Sequence, residues 1–226
     1  MNIWLFDIDG TLIRTNGVGQ RSMEMAIESA FGIESDFDDV RFSGRTDYAI
    51  TTDIFRMKDV SDTPSNRQKF HDEYLKFLER NLKTCTGQVL PGVLDLLNIL
   101  ANQANVRLGL LTGNIEQAAV FKLKHFELHH FFEFGGFGNH DRDRNDVAKR
   151  AYKAACESLE TEVSRNKVWV IGDTPADIQC GESIGANTIA VATGSFPADQ
   201  MASYRPNHLV QNLTELDHRS LVIDRN

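Results

Sequence analysis

Four short apolar runs recur along this chain, and each is cut off by a turn signal. Ile3 to Phe6 stops at Asp7, Val106 to Leu111 at Thr112-Gly113-Asn114, Val168 to Ile171 at Gly172-Asp173, and Thr188 to Ala192 at Thr193-Gly194. A run that is continuously apolar, rather than alternating, predicts a strand covered on both faces, as in a parallel sheet. A weaker fifth run lies at His208-Leu209-Val210. Helical patterns separate the runs. Val93, Leu96, Leu97 and Leu100 keep i, i+3, i+4, i+7 spacing, and further helices are predicted over 115–126, 146–159 and 177–184, the last closed by Gly185. Strands alternating with helices predict an α/β layer fold with a parallel sheet.

The stretch 15–85 breaks that rhythm. It holds no convincing strand and reads as helices over 20–31, 47–55 and onward from Pro64, where Phe70, Tyr74, Phe77, Leu78 and Leu82 make an apolar stripe. The expected architecture is a Rossmann-like parallel-sheet core, residues 1–14 and 86–226, with an inserted all-helical cap over 15–85. The sheet is expected to resume near Leu90-Pro91-Gly92, with Gly17, Gly19 and Gly87 as hinges.

Composition excludes several functions. Lys and Arg number 24 against 32 Asp and Glu, a formal charge of −8. That balance argues against a nucleic-acid partner, which selects a basic face. Cys85, Cys156 and Cys180 form no C-x-x-C pair, which argues against a disulfide scaffold or a thiolate zinc site and suits a reducing cytoplasm. No apolar run approaches the ~18 residues of a membrane span. Asp7 cuts the first run short, so neither a leader nor a membrane partner is expected.

Open parallel sheets gather ligands at the carboxyl ends of their strands. Here those ends carry Asp7, Thr112 and Asp173, with Asp9 two residues past Asp7 and Asp177 one helical turn past Asp173. Four carboxylates at one edge repel one another. A hard divalent cation resolves the repulsion, and all-oxygen ligation points to Mg²⁺. Such a site attracts phosphate, for which Thr112 offers a hydroxyl and the amides of Gly113 and Asn114 an anion cradle at a helix start.

Asp7-Ile-Asp9-Gly10-Thr11-Leu12, Leu110-Leu111-Thr112-Gly113-Asn114 and Val170-Ile171-Gly172-Asp173-Thr174-Pro175-Ala176-Asp177 resemble three of the four motifs of the haloacid dehalogenase-like hydrolase superfamily, in the family's order. The resemblance implies Asp7 as a nucleophile forming an aspartyl-phosphate and Asp9 as the acid and then the base. It implies Mg²⁺ held by Asp7, the main-chain carbonyl of Asp9 and Asp173, with Asp177 in support. Dehalogenases of the superfamily lack an acid at the place of Asp9, so the resemblance favours phosphoryl transfer. The third motif departs from the usual Lys-Pro pair: His140-Asp-Arg-Asp-Arg-Asn145 supplies Arg144 as the expected cation, with Arg142 the alternative. Thr11, Gly113 and Asn114 are expected at the substrate. So is Arg45, which precedes a helix start capped by Thr46.

These expectations describe a Mg²⁺-dependent phosphomonoesterase acting on a small phosphorylated metabolite and resembling phosphoglycolate phosphatase. One alternative is a sugar-phosphate mutase of the β-phosphoglucomutase type, although Thr15-Asn16-Gly17-Val18-Gly19 lacks the histidine expected there. Another is a phosphate- or Mg²⁺-binding regulator without catalysis.

Overall fold

The computed structural model describes residues 1–34, 37, 39–217 and 221. In chain order its elements are β1 (Asn2–Phe6), β2 (Ile13–Arg14), α1 (Val18–Phe31), α2 (Asp47–Met57), α3 (Pro64–Leu82), β3 (Gln88–Val89), α4 (Val93–Ala101) and β4 (Val106–Leu111). There follow α5 (Glu116–His125), β5 (Phe134–Gly136), α6 (Arg144–Ser158), β6 (Val168–Gly172), α7 (Pro175–Ser183), β7 (Asn187–Val191), α8 (Ala198–Ala202) and β8 (His208–Val210).

Six strands form one sheet in the order β5-β4-β1-β6-β7-β8, and every pairing is parallel. This is the expected α/β Rossmann-like core. Every residue of β1 is buried, yet the strand still sorts its side chains by pleat. Trp4 and Phe6 join Leu96, Leu97 and Leu123 on one face, while Ile3 and Leu5 join Ala148, Ala151 and Cys180 on the other. Burial on both faces is why the run reads as continuous rather than alternating. Trp4 stacks on Trp169 of the neighbouring strand, ring centroids 5.9 Å apart.

The register fixes the site. Phe6 pairs with Leu110 on one side and Ile171 on the other. One residue further on, Asp7 stands at the carboxyl edge beside the ends of β4 and β6, and its N–H donates to the Ile171 carbonyl at 2.9 Å.

One expectation needs correction. The segment at Leu90-Pro91-Gly92 does not rejoin the main sheet. Instead, β3 just before it pairs antiparallel with β2, Ile13 opposite Val89 and Arg14 opposite Gln88. This two-stranded ribbon carries the chain out to α1–α3 and back. Those helices pack a cluster of their own around Phe55, Phe70, Tyr74 and Leu78, to which α5 adds Ile115 and Ala118. Phe77, expected in the α3 stripe, lies off the buried i, i+4 row and is half-buried under Arg80. Thr46 and Thr63 cap α2 and α3, accepting from Ala49 N at 3.1 Å and Asn66 N at 3.2 Å. Among the described residues no helix is long and apolar enough to cross a membrane.

Candidate active site

A cavity of about 530 Å³ opens at the carboxyl edge of the sheet, beneath α1–α3, lined by Asp7, Asp9, Lys122, Arg144 and Asp173 among others. At and just behind its floor, Asp7, Asp173 and Asp177 each bring a carboxylate oxygen within 4.8 Å of the others, and all three residues are buried. Arg144, at the start of α6, is 7% exposed and reaches into this cluster. Its Nη2 lies 3.2 Å from Asp7 Oδ1 and donates to Asp177 Oδ1.

Burial raises the Asp7 carboxyl from 3.8 to about 7; Arg144 opposes the shift, and Asp177 and Asp9 add to it. Burial, with Asp7 and Asp177 nearby, pushes Asp173 well above the ordinary carboxylate range. Burial works against the charge of Arg144, but Asp177 and Asp7 outweigh it and hold the guanidinium above its usual value. Three buried carboxylates thus share one guanidinium. That is a donor set short of positive charge and made wholly of oxygen, and it fits Mg²⁺.

The surroundings of Asp173 fit the same reading. Thr11 Oγ1 donates to its Oδ1 at 3.1 Å. Gly10, at φ +86°, turns the chain tightly after Asp9, and a Cβ there would stand 2.4 Å from Asp173 Oδ2. Asp177 sits one layer back. Its Oδ2 accepts from Thr174 N at 3.0 Å and Thr174 Oγ1 at 2.7 Å, closing a capping box on α7, and its Oδ1 takes Arg144. Both oxygens are engaged, so Asp177 braces the cluster.

Asp9 points the other way. Its Oδ2 accepts from Lys122 Nζ at 2.6 Å and from Asn114 Nδ2 at 2.9 Å. Asn114 in turn donates to Thr112 Oγ1 at 2.8 Å and accepts from Lys122 at 2.7 Å. Thr112 itself is fully buried.

Several expected contacts fall elsewhere. Thr11 faces Asp173 rather than a substrate, because its hydroxyl is buried against that carboxylate. The Asn114 amide is spent on Thr112 Oγ1 at 3.3 Å, so it adds nothing to an anion cradle. Arg45 lines the cavity, but its guanidinium turns to Asp53 at 2.6 Å and to the Ala49 carbonyl at 3.4 Å. Arg142 is mostly exposed, 3.9 Å from Asp53, so of the two candidate arginines only Arg144 meets Asp7.

Two residues escaped the sequence reading. Lys122 follows Ile115, Ala118 and Ala119 at i+7, i+4 and i+3, so a lysine in an otherwise apolar stripe was the available signal. Asp47 opens α2, and its Oδ2 accepts from Ile115 N at 2.8 Å. Burial raises its carboxyl to about 6, with Lys122 opposing. Around it α2 is seated on the loops after β4 and β5 by main-chain bonds: Asp47 N to Gly113 O at 2.7 Å, and Tyr48 N to Gly138 O at 3.1 Å. The approach is close enough to require glycine. A Cβ on Gly113 would lie 1.9 Å from the Arg45 carbonyl oxygen.

The chain is similar to known proteins over nearly its whole length. Pyrophosphatase PpaX of Bacillus pumilus is 25% identical over 225 residues, covering 96% of this chain and 94% of that protein. A hydrolase from Pseudomonas syringae shares the fold at a TM-score of 0.73 and 18% identity, over 98% of this chain and 99% of that one. A predicted phosphoglycolate phosphatase from Haemophilus somnus does so at 0.72 and 17%, over 94% and 95%. The family model of the haloacid dehalogenase-like hydrolases matches residues 1–185. The chain is a member of the haloacid dehalogenase-like hydrolases.

Proposed function

We propose that the protein is a Mg²⁺-dependent phosphohydrolase that takes a small phosphorylated metabolite through an aspartyl-phosphate on Asp7. The observation that carries the reading is Asp7 itself: buried at the strand edge, 3.2 Å from Arg144, within one acidic cluster with Asp173, and open to a cavity that Asp9 also lines. Asp7, Asp173 and the Asp9 carbonyl would hold Mg²⁺. When bound, the ion supplies positive charge that lets two anions, carboxylate and phosphate, meet.

An Asp7 oxygen attacks phosphorus, the bond from phosphorus to the leaving oxygen breaks, and Asp9 passes that oxygen its proton. Water then attacks the phosphorus of the aspartyl-phosphate. Asp9 takes the water proton, the bond between phosphorus and the Asp7 oxygen breaks, and inorganic phosphate leaves with the Asp7 carboxylate restored. Arg144 lies against Asp7 Oδ1, where a guanidinium can grip a phosphoryl oxygen. The helices α1–α3 serve as a cap that shields the aspartyl-phosphate from stray water. The cavity suits a metabolite and not a polymer, and a cytoplasmic setting agrees with three unpaired thiols.

Pyrophosphate is the first substrate to test, because Arg14 and Arg144 line the cavity and the PpaX relative from Bacillus pumilus is matched over 96% of this chain. Phosphoglycolate is the second. The test is phosphate release from pyrophosphate, phosphoglycolate and β-glucose 1-phosphate, with Mg²⁺ and with EDTA, in wild type and Asp7→Asn. Mg²⁺-dependent release that Asp7→Asn abolishes is the expected result. Formation of glucose 6-phosphate without net phosphate would mark a mutase, and binding without turnover a regulator; either overturns the reading.

A further inference from the structure

Lys122 is a buried ammonium that the phosphate chemistry leaves without a task. It is 4% exposed. An ammonium so placed is costly unless it is paired and hydrogen-bonded. Its partners are Asp9 Oδ2 at 2.6 Å and Asn114 Oδ1 at 2.7 Å. The acidic cluster is served by Arg144 instead, which touches Asp7 and Asp177. Asn114 Nδ2 adds a second donor to the same Asp9 oxygen at 2.9 Å and is itself tied to Thr112 Oγ1 at 2.8 Å. Lys122, Asn114 and Asp9 therefore form a three-membered ring of hydrogen bonds anchored on Thr112, just past the end of β4. Both donors converge on Oδ2. The Asp9 side chain is nonetheless 40% exposed toward the cavity.

We infer that Lys122 is a positioning residue: with Asn114 it grips Oδ2 of Asp9 and so presents Oδ1 to the leaving oxygen and, later, to the attacking water. The inference rests on Asp9 being the group that exchanges a proton with the substrate. A carboxylate free to spin about its last torsion would place a proton on the leaving oxygen only part of the time, and misplacement of about 1 Å is expensive in rate. The stabilisation reaches only those substrates whose leaving oxygen needs a proton during departure. An aryl oxide with a good electron sink leaves without one.

The experiment compares kcat/KM, which reports transfer to Asp7 and not the later hydrolysis, for p-nitrophenyl phosphate, phenyl phosphate and methyl phosphate. Lys122→Met, of similar length and without charge, is expected to lose about 10–100-fold on methyl phosphate, a part of the ~10²–10⁴ that general acid catalysis supplies. On p-nitrophenyl phosphate the loss should stay under about 3-fold. Lys122→Gln, which keeps a neutral donor, should steepen the series less and provides the reading if the Met variant does not fold. In an Asp9→Asn background Lys122→Met should change kcat/KM by less than about 2-fold, because its beneficiary is already gone.

Equal losses across the three phosphates, or an undiminished loss in the Asp9→Asn background, would overturn the inference and make Lys122 a packing residue or a direct substrate contact. An Asp9→Asn enzyme that shows no leaving-group dependence would instead fault the role of Asp9. The two failures are thereby told apart.

Discussion

Asp7 holds the clearest tension between stability and function. Its carboxyl sits at about 7 in the folded protein against an ordinary 3.8, so between those values the native state keeps a proton that the unfolded chain releases. A raised carboxyl costs nothing below about pH 4 and most above about pH 7, so the metal-free protein loses stability as pH rises through that window. Asp7→Asn should therefore stabilise the metal-free protein at pH 8, by roughly 1–3 kcal/mol, and change it little at pH 4. Urea melts in EDTA at the two pH values measure this; an equal effect at both would refute it. Activity should move oppositely, with kcat falling on the order of 10³ or more for the loss of a nucleophile. At this scale much was legible in the sequence. The aspartates announce themselves because strand ends and helix starts fix where they stand, and Arg144 is pinned by the α6 terminus. Lys122 was hidden because a lysine on a helix is ordinarily solvated, and only burial of its stripe shows otherwise.

Among the elements, α2 joins cap to core through backbone. Its first-turn N–H groups donate to the core: Asp47 N to the Gly113 carbonyl and Tyr48 N to the Gly138 carbonyl, while Asp47 Oδ2 accepts from Ile115 N. Asp47→Ala would orphan that buried N–H, at a cost of about 1–3 kcal/mol. Asp47→Asn keeps an acceptor and should cost clearly less, a contrast that thermal or urea melts can read. Arg45, expected from the sequence at the substrate, is held by Asp53 in a pair that solvent partly screens. Arg45→Ala should then lower stability by less than about 1 kcal/mol and leave KM for phosphoglycolate within about 2-fold. A KM rise confined to carboxylated substrates would return Arg45 to the reading role. Strands and long helices were legible because burial on one or two faces writes its period into the chain. The β2–β3 ribbon was not, because two residues per strand carry no period at all.

For the molecule as a whole, the proposed metal site would couple ion binding to folding. Native protein assembles Asp7 and Asp173 from strands far apart in sequence, and the unfolded chain does not, so Mg²⁺ should raise the melting temperature. At about 100 times its dissociation constant the ion adds about 2.7 kcal/mol, or about 5–10 °C for a chain of this length. Asp173→Asn should erase the shift; calorimetry with and without Mg²⁺ decides. The order of layers was legible in the sequence, since alternation of strand and helix admits few topologies. How the helical layer would rest on the sheet was not, because main-chain bonds through Gly113 and Gly138 leave no side-chain signature. That seat has a consequence for descent. A joint made of peptide groups, two glycines and the Asp47 carboxylate places few demands on the side chains of α2 beyond its first turn. Lineages are free to rewrite the cavity-facing surface of α1–α3 and acquire new substrates while the lid stays where it is, whereas any side chain gained at Gly113 would unseat it at once.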